Sequence, residues 1–463
     1  MRRSRASRTR AHSSGPSTAG SEASRVTQRH FGFPGATSVL VANMVGTGVF
    51  TSLGFQALDL HTGGALLSLW IVGGIVALCG AIAYAELGAL LPRSGGEYVY
   101  LGQAWHPVAG FLGGWVSMTV GFAAPIALSS MAFGRYLSAI LPVDARMASL
   151  AMLGVVVAVH LAGLHAAKRF QVAITGTQLC LVAAFVVAGV TYGRPVPLES
   201  GLGDGRALQE MFSAPYAVSL VYVSFAFTGW NAAGYIAGEI VNPERTIPRA
   251  VVASTLVVTA LYLLLNFAFL RTVPLAELAG KVEVGALSAR AMFGAWGGQA
   301  MSGIIAAVLL ASISSMVIGS SRATQAVAES LPQWRILGVR GTDGVPRNAI
   351  IAQGLLILVL LLTNSFEAVM LYAGFTLNLM SLLTVLGMMR LRRTAAMMPR
   401  PYHAWGYPLS PLVYVALSVW TLGTLLMQRP GASLAGLATV AVGYGIWLLG
   451  NRRVASRGSH PAR

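Results

Sequence analysis

The sequence predicts an all-α protein that crosses a membrane many times, and three observations carry the prediction. Only 10% of the 463 residues are charged, while 55% are hydrophobic and the mean hydropathy is +0.67. Soluble domains carry nearer one quarter charged residues. Apolar runs of about 20 residues recur along the chain, each long enough to cross roughly 30 Å of hydrocarbon. The Lys and Arg side chains gather in the tails and in alternate connecting segments, as a membrane-topology signal does. A β-barrel is not expected, because its strands would alternate in polarity and run nearer ten residues.

Breaks at charged or Pro/Gly-rich positions divide the apolar runs into twelve expected spans. They cover 36–57, 64–91, 106–140, 147–165, 169–193 and 214–239, then 249–271, 297–328, 348–364, 366–390, 409–428 and 432–450. The third and eighth exceed what the bilayer needs and imply a tilt or an interfacial extension. With the N-terminus inside, 24 of the 32 basic residues fall on the cytoplasmic side and 8 outside. An even span count then puts both ends in the cytoplasm.

Residues 1–30 form a basic, Arg/Ser/Thr-rich tail without the apolar stretch of a cleaved secretory signal, and read as disordered. Poverty in acidic residues is shared with organellar transit peptides. Residues 31–451 form the membrane domain, and 452–463 a cytoplasmic C-terminal tail. The net charge of +17 follows the topology signal and does not call for nucleic acid. Cys79 and Cys180 lie inside apolar spans, where core packing is expected and no disulfide framework exists. His, Cys and carboxylates show no ligand spacing, so no metal is expected.

Two spans contain residues that a plain membrane helix would avoid. The first carries NMVGTGVF at 43–50, and the sixth reads SFAFTGWNAAGYIAGEI at 224–240. Glycine costs a helix interior about 1 kcal/mol relative to alanine. Loosened backbone groups in a bilayer must also find partners. Broken helices at matching positions of two chain halves mark the binding site of a transporter. A break frees N–H groups where a half-helix begins, which favours a carboxylate. It also frees carbonyls where the preceding half ends, which suit an ammonium group. The pattern therefore points to a zwitterion such as an amino acid, held by main chain. Helix–helix packing by small residues is the competing explanation of either break alone.

These residues resemble the amino acid–polyamine–organocation superfamily of permeases. NMVGTGVF is similar to its first-span signature. YAELGALLPRSGGEYVYL at 84–101 is similar to its segment joining spans 2 and 3, and FAFTGWNAAGYIAGEIVNPERTIPRA at 225–250 to its sixth span and following loop. RPYHAWGYPLSP at 400–411 resembles the loop before span 11 in the branch containing the L-type amino acid transporters. The resemblance covers nearly all of the chain. It implies a five-plus-five inverted repeat working by alternating access, with 36–193 as the first repeat, 214–390 as the second and 409–450 as two further spans.

Residue by residue, it implies that the substrate carboxylate meets the N–H groups of Thr47 and Gly48, with Gly46 giving room. The amino group meets carbonyls near Met44 and those of Phe225 and Thr228. The Phe225 ring matches the position that closes over substrate as a gate, and Ser314 falls where the family lines the pocket. Sodium-coupled relatives of this architecture hold a cation between spans 1 and 8, where Ser314 and Ser315 could give oxygens. Many sodium-independent members replace that ion with a span 5 lysine, and here the matching residue is Gln178. Proton coupling, sodium coupling and plain exchange all stay open.

Glu86, Glu239, Glu329 and Glu367 fall at or near span ends, and none is central. An ionisable group deep in the membrane would be a functional candidate. Neutral substrates are therefore expected in place of arginine or polyamines, which form the alternative cargo. A channel or receptor is a more distant alternative, since no filter or charged ring is evident. No His, Ser or Cys constellation of an enzyme is present either. The loop after span 3 lacks the cysteine through which L-type transporters join a heavy chain, so no covalent partner is expected. An Arg-rich, Lys-poor composition suggests a bacterial inner membrane.

Overall fold

A computed structural model describes residues 29, 31–162, 168–192, 196, 199–329, 335–339, 341 and 345–458. Side chains at 168–179, 335, 451–458 and several positions between 315 and 329 fall outside this description. Most of the expected N-terminal tail, residues 459–463, and the side chains of Gln178, Ser315 and Glu329 therefore lie outside the described residues, while the backbone of 452–458 continues the last helix.

The first span is split. Phe33–Met44 (α1) carries Pro34 in its first turn, where the missing N–H costs nothing. Val45 and Gly46 leave the helical conformation, and Thr47–Gln56 (α2) resumes it. Gly63–Leu90 (α3) starts at Thr62, whose hydroxyl accepts from the Ala65 N–H. A short helix, Glu97–Ala104 (α4), leads into the third span. That span joins Pro107–Val116 (α5), a π-helical stretch Ser117–Phe122 and Ala123–Ser138 (α6). Ala145–Leu161 (α7), capped by Asp144, and Lys168–Thr191 (α8) complete the first half.

Arg206–Met211 (α9) precedes the sixth span, which is also broken. Ala214–Ala226 (α10) ends in the unwound residues 227–231. A single turn, Ala232–Tyr235 (α11), and a 3₁₀ turn, Ala237–Glu239, follow. Pro243–Thr272 (α12), Leu275–Leu278 (α13) and Val284–Glu329 (α14) come next. Gly294 interrupts α14 with φ 75°, so its first ten residues form a separate piece. Arg335–Gly338 (α15), Arg347–Thr363 (α16), Phe366–Thr394 (α17), Leu409–Gln428 (α18) and Pro430–Gly458 (α19) finish the chain.

Among the described residues, eight segments are long and apolar enough to cross a membrane, counting α1–α2 and α5–α6 as one each. Shorter apolar helices, Ala145–Leu161, Cys180–Thr191, Ala214–Ala226 and Arg347–Thr363, occupy the remaining expected spans. Among the described residues, extended pairing is limited to one bridge between Phe31 and Ile240.

The helices pack as two groups. α3 lies along α12, with α1 against α12, and this group buries Leu40, Trp70, Tyr262 and Phe269. α6 packs on α7, α14 and α16, burying Tyr136, Ile313 and Ile357. α2 runs against α10, so the two split spans adjoin. Glu86 ties the end of α3 to the end of α17 and the loop beyond. It is 1% exposed and accepts from Arg392 (Nε, 2.8 Å) and from the Ala404 N–H (2.7 Å), with Arg400 at 3.6 Å. Glu86 is thus an anchor. Cys79 is half-buried and Cys180 is exposed on α8, so core packing does not explain the second cysteine.

Candidate functional site

The two breaks meet backbone to backbone. Gly229 holds φ 128°, a conformation open to glycine and strained for other residues. A Cβ there would stand 2.7 Å from the Asn43 carbonyl carbon and 2.8 Å from the Met44 nitrogen. One turn on, a Cβ at Gly48 would stand 2.7 Å from the Ala226 Cα. Gly48 therefore serves close approach of α2 to α10, while Gly46 has only the Met44 carbonyl near, at 3.9 Å. The packing and binding explanations of the glycines divide between these positions. α2 begins at Gly46 without a side-chain cap, which leaves the positive end of its dipole open to an anion.

Tyr262 of α12 joins the breaks. Its hydroxyl is 2.5 Å from the Met44 carbonyl oxygen and 3.0 Å from that of Ala226, the last residues of α1 and α10. The ring is fully buried, edge-on to Trp70 and Phe227. One phenol thus serves both half-helix C-termini. No feature of the apolar run around Tyr262 announces this role, because it exists only once three helices converge.

A cavity of about 590 Å³ lies beside the breaks. α1 contributes Asn43, α10 contributes Phe225, and the unwound stretch contributes Thr228 to Asn231; α17 adds Asn378 and Ser381. A second cavity of about 30 Å³ flanks the first break, with Gly46, Phe50, Phe185 and Ser312 in an otherwise apolar wall. Of the expected site residues, Phe225 and Thr228 line the large cavity and Gly46 the small one. Met44, Thr47 and Gly48 line neither cavity. The Met44 carbonyl is taken by Tyr262, and the Phe225 carbonyl accepts both the hydroxyl and the N–H of Thr228. Ser314 turns away: its hydroxyl is 3.3 Å from His160 Nε2 on α7. Gln178 and Ser315 lie outside the described side chains.

Two carboxylates, Glu97 and Glu239, line the large cavity, although the sequence reading puts no acidic residue at a central position. The sequence places Glu97 in the connection between spans 2 and 3, yet α4 turns it inward, 4% exposed and on the wall of the large cavity. Its Oε1 accepts from Asn231 Nδ2 (2.8 Å) and the Tyr84 hydroxyl (3.1 Å), and its Oε2 from the Tyr235 hydroxyl. A signal for this exists in the sequence. Glu97, Tyr100, Leu101 and Ala104 recur at helical spacing and form the buried face of α4. Glu97 and Glu239 are the charged residues lining this cavity. Among the described residues, no group of three or more His, Cys, Asp or Glu could hold a metal ion.

A family model described as amino acid permease matches residues 31–448, across both breaks and the cavity. The chain belongs to this family. The permease is 27% identical over 441 residues to the serine/threonine exchanger SteT of Bacillus subtilis, covering 90% of this chain and 97% of that one. It is 26% identical to the Asc-type amino acid transporter 1 of Mus musculus, over 91% of this chain and 81% of the relative. It is 27% identical to the large neutral amino acids transporter small subunit 2 of the same animal, with the same coverage. The permease is thus an all-α membrane protein for amino acid transport.

Proposed function

We propose that the permease is a secondary active transporter carrying small or medium neutral amino acids by alternating access. The observation that carries this reading is the meeting of two broken helices, backbone to backbone, beside a cavity large enough for an amino acid. The substrate carboxylate binds the uncapped start of α2 at Gly46, Thr47 and Gly48. The ammonium group binds main-chain carbonyls of the sixth-span break, near Thr228. Phe225, at the last turn of α10, closes over it. The mixed apolar and hydroxyl lining suits neutral side chains. The three relatives above, named for serine/threonine, Asc-type and large neutral amino acid transport, support the same class and make exchange a natural mode.

The chain would sit in a bacterial inner membrane with twelve spans and both termini cytoplasmic, as the basic-residue bias supports. It carries amino acids and does no covalent chemistry. The coupling ion, if any, is a proton or sodium.

A second reading, cationic amino acids or polyamines, draws on Glu97 and Glu239 in the cavity wall. It is disfavoured because three protein donors already occupy Glu97. Counterflow in proteoliposomes, with serine, alanine, leucine, arginine and putrescine as competitors, separates the two. Inhibition by the neutral compounds supports the proposal. Inhibition by arginine or putrescine alone overturns it.

A further inference from the structure

We propose that Glu97 is the proton-binding site of the transport cycle, its clasp with the sixth-span break coupling proton occupancy to movement of that span. This rests on the transport reading above.

Two buried glutamates of the same protein make the case by contrast. Glu86 faces two cations, the guanidinium groups of Arg392 and Arg400. Glu97 is nearly as buried but faces neutral donors: Tyr84 from α3, and Asn231 and Tyr235 from the sixth-span break. The other titratable groups around it are Tyr100 on its own helix, Tyr414 from α18 and, along the same cavity, Glu239. Ser117 from the π-helical stretch supports Tyr235 at 2.7 Å. Among the described residues, no Lys or Arg lines the cavity. All three side-chain donors of Glu97 are neutral, and two of them belong to the broken sixth span.

Backbone contacts fasten the same two segments. The N–H groups of Gly95 and Gly96 both donate to the Gly234 carbonyl at 3.1 Å, and the Gly238 N–H donates to Ser94 Oγ at 3.0 Å. Parting α11 from α4 would withdraw Asn231 and Tyr235 together and leave Tyr84 alone. Donors aimed at a carboxylate favour its charged form, and withdrawing them favours the neutral acid. Glu97 then takes a proton from hydronium in the cavity: one O–H bond forms on the carboxylate and water is left. Closing the clasp restores the donors, and the proton passes back to a water molecule as hydronium, leaving the carboxylate. Because proton uptake and clasp opening favour each other, a proton gradient drives the span.

The test uses the full chain in proteoliposomes, with the labelled amino acid that shows the strongest counterflow in the panel above. The quantity read is the ratio of accumulation with and without an acid-outside gradient, which does not depend on absolute rate. A gradient of one pH unit should give about tenfold accumulation in the parent if one proton accompanies each solute. Glu97→Gln should bring that ratio near unity. As a second variant, Tyr235→Phe removes one donor and should move the midpoint of the pH–uptake profile upward. Parental coupling in Glu97→Gln, or an unmoved midpoint in Tyr235→Phe, overturns the proposal. Parent counterflow indifferent to the gradient overturns the proposal alone. No counterflow by any amino acid overturns the transport reading and the proposal with it.

Discussion

Replacing Tyr262 by Phe removes a single oxygen atom while keeping the ring that packs against Trp70 and Phe227. The hydroxyl lies within hydrogen-bond distance of the last carbonyls of both α1 and α10. Its one proton serves the pair, at 2.5 and 3.0 Å, in a fully buried setting. Leaving such an acceptor without its donor costs about 1–3 kcal/mol. If the cost falls on this conformation alone, the balance between states shifts roughly 5- to 150-fold. The expected result is normal membrane insertion with counterflow reduced by at least about fivefold. Tyr262→Leu, which also empties the aromatic contacts, should lose folded protein as well. Counterflow in Tyr262→Phe equal to the parent, at matched protein per vesicle, would refute the idea that the two helix ends are held through one phenol.

Two further substitutions probe separate links. Gly48→Leu should abolish counterflow, because even a Cβ there meets α10 backbone at 2.7 Å, and overpacking of this kind costs about 1–3 kcal/mol or more. Monodisperse protein with parental uptake would show that α2 and α10 need not approach closely. Glu86→Gln should lower the thermal stability of purified protein by removing the charge between Arg392 and Arg400, a loss of about 3–5 kcal/mol for a buried pair broken on one side. An unchanged melting temperature would remove Glu86 as the anchor of α3 to α17.

The breaks were readable from sequence because glycines flanking a threonine, and Thr-Gly-Trp-Asn in the sixth span, conflict with the cost of loosened backbone in lipid. What they build was not equally readable. NMVGTGVF does not say that Gly48 faces α10 while Gly46 opens on a cavity, since that depends on how two distant segments meet. Tyr262 is one aromatic among many apolar neighbours, and its role appears only where α1, α10 and α12 converge. Glu97 was masked for another reason. Hydropathy assigns it to a connection outside the bilayer, and only the helical spacing of Tyr100, Leu101 and Ala104 reveals a buried face. Ser314 fell at a plausible depth, but depth does not set azimuth, and its hydroxyl meets His160 instead of the cavity.

The most direct test of main-chain recognition at the paired breaks is substrate protection of single cysteines. In a background with Cys79 and Cys180 replaced by serine, Asn43→Cys and Thr228→Cys place a thiol on the cavity wall, and Asp204→Cys on an exposed loop serves as control. The account predicts that a transported neutral amino acid slows labelling by a membrane-permeant maleimide at both cavity positions and leaves position 204 unaffected. Equal labelling rates with and without substrate at positions 43 and 228, in variants that still transport, would contradict it.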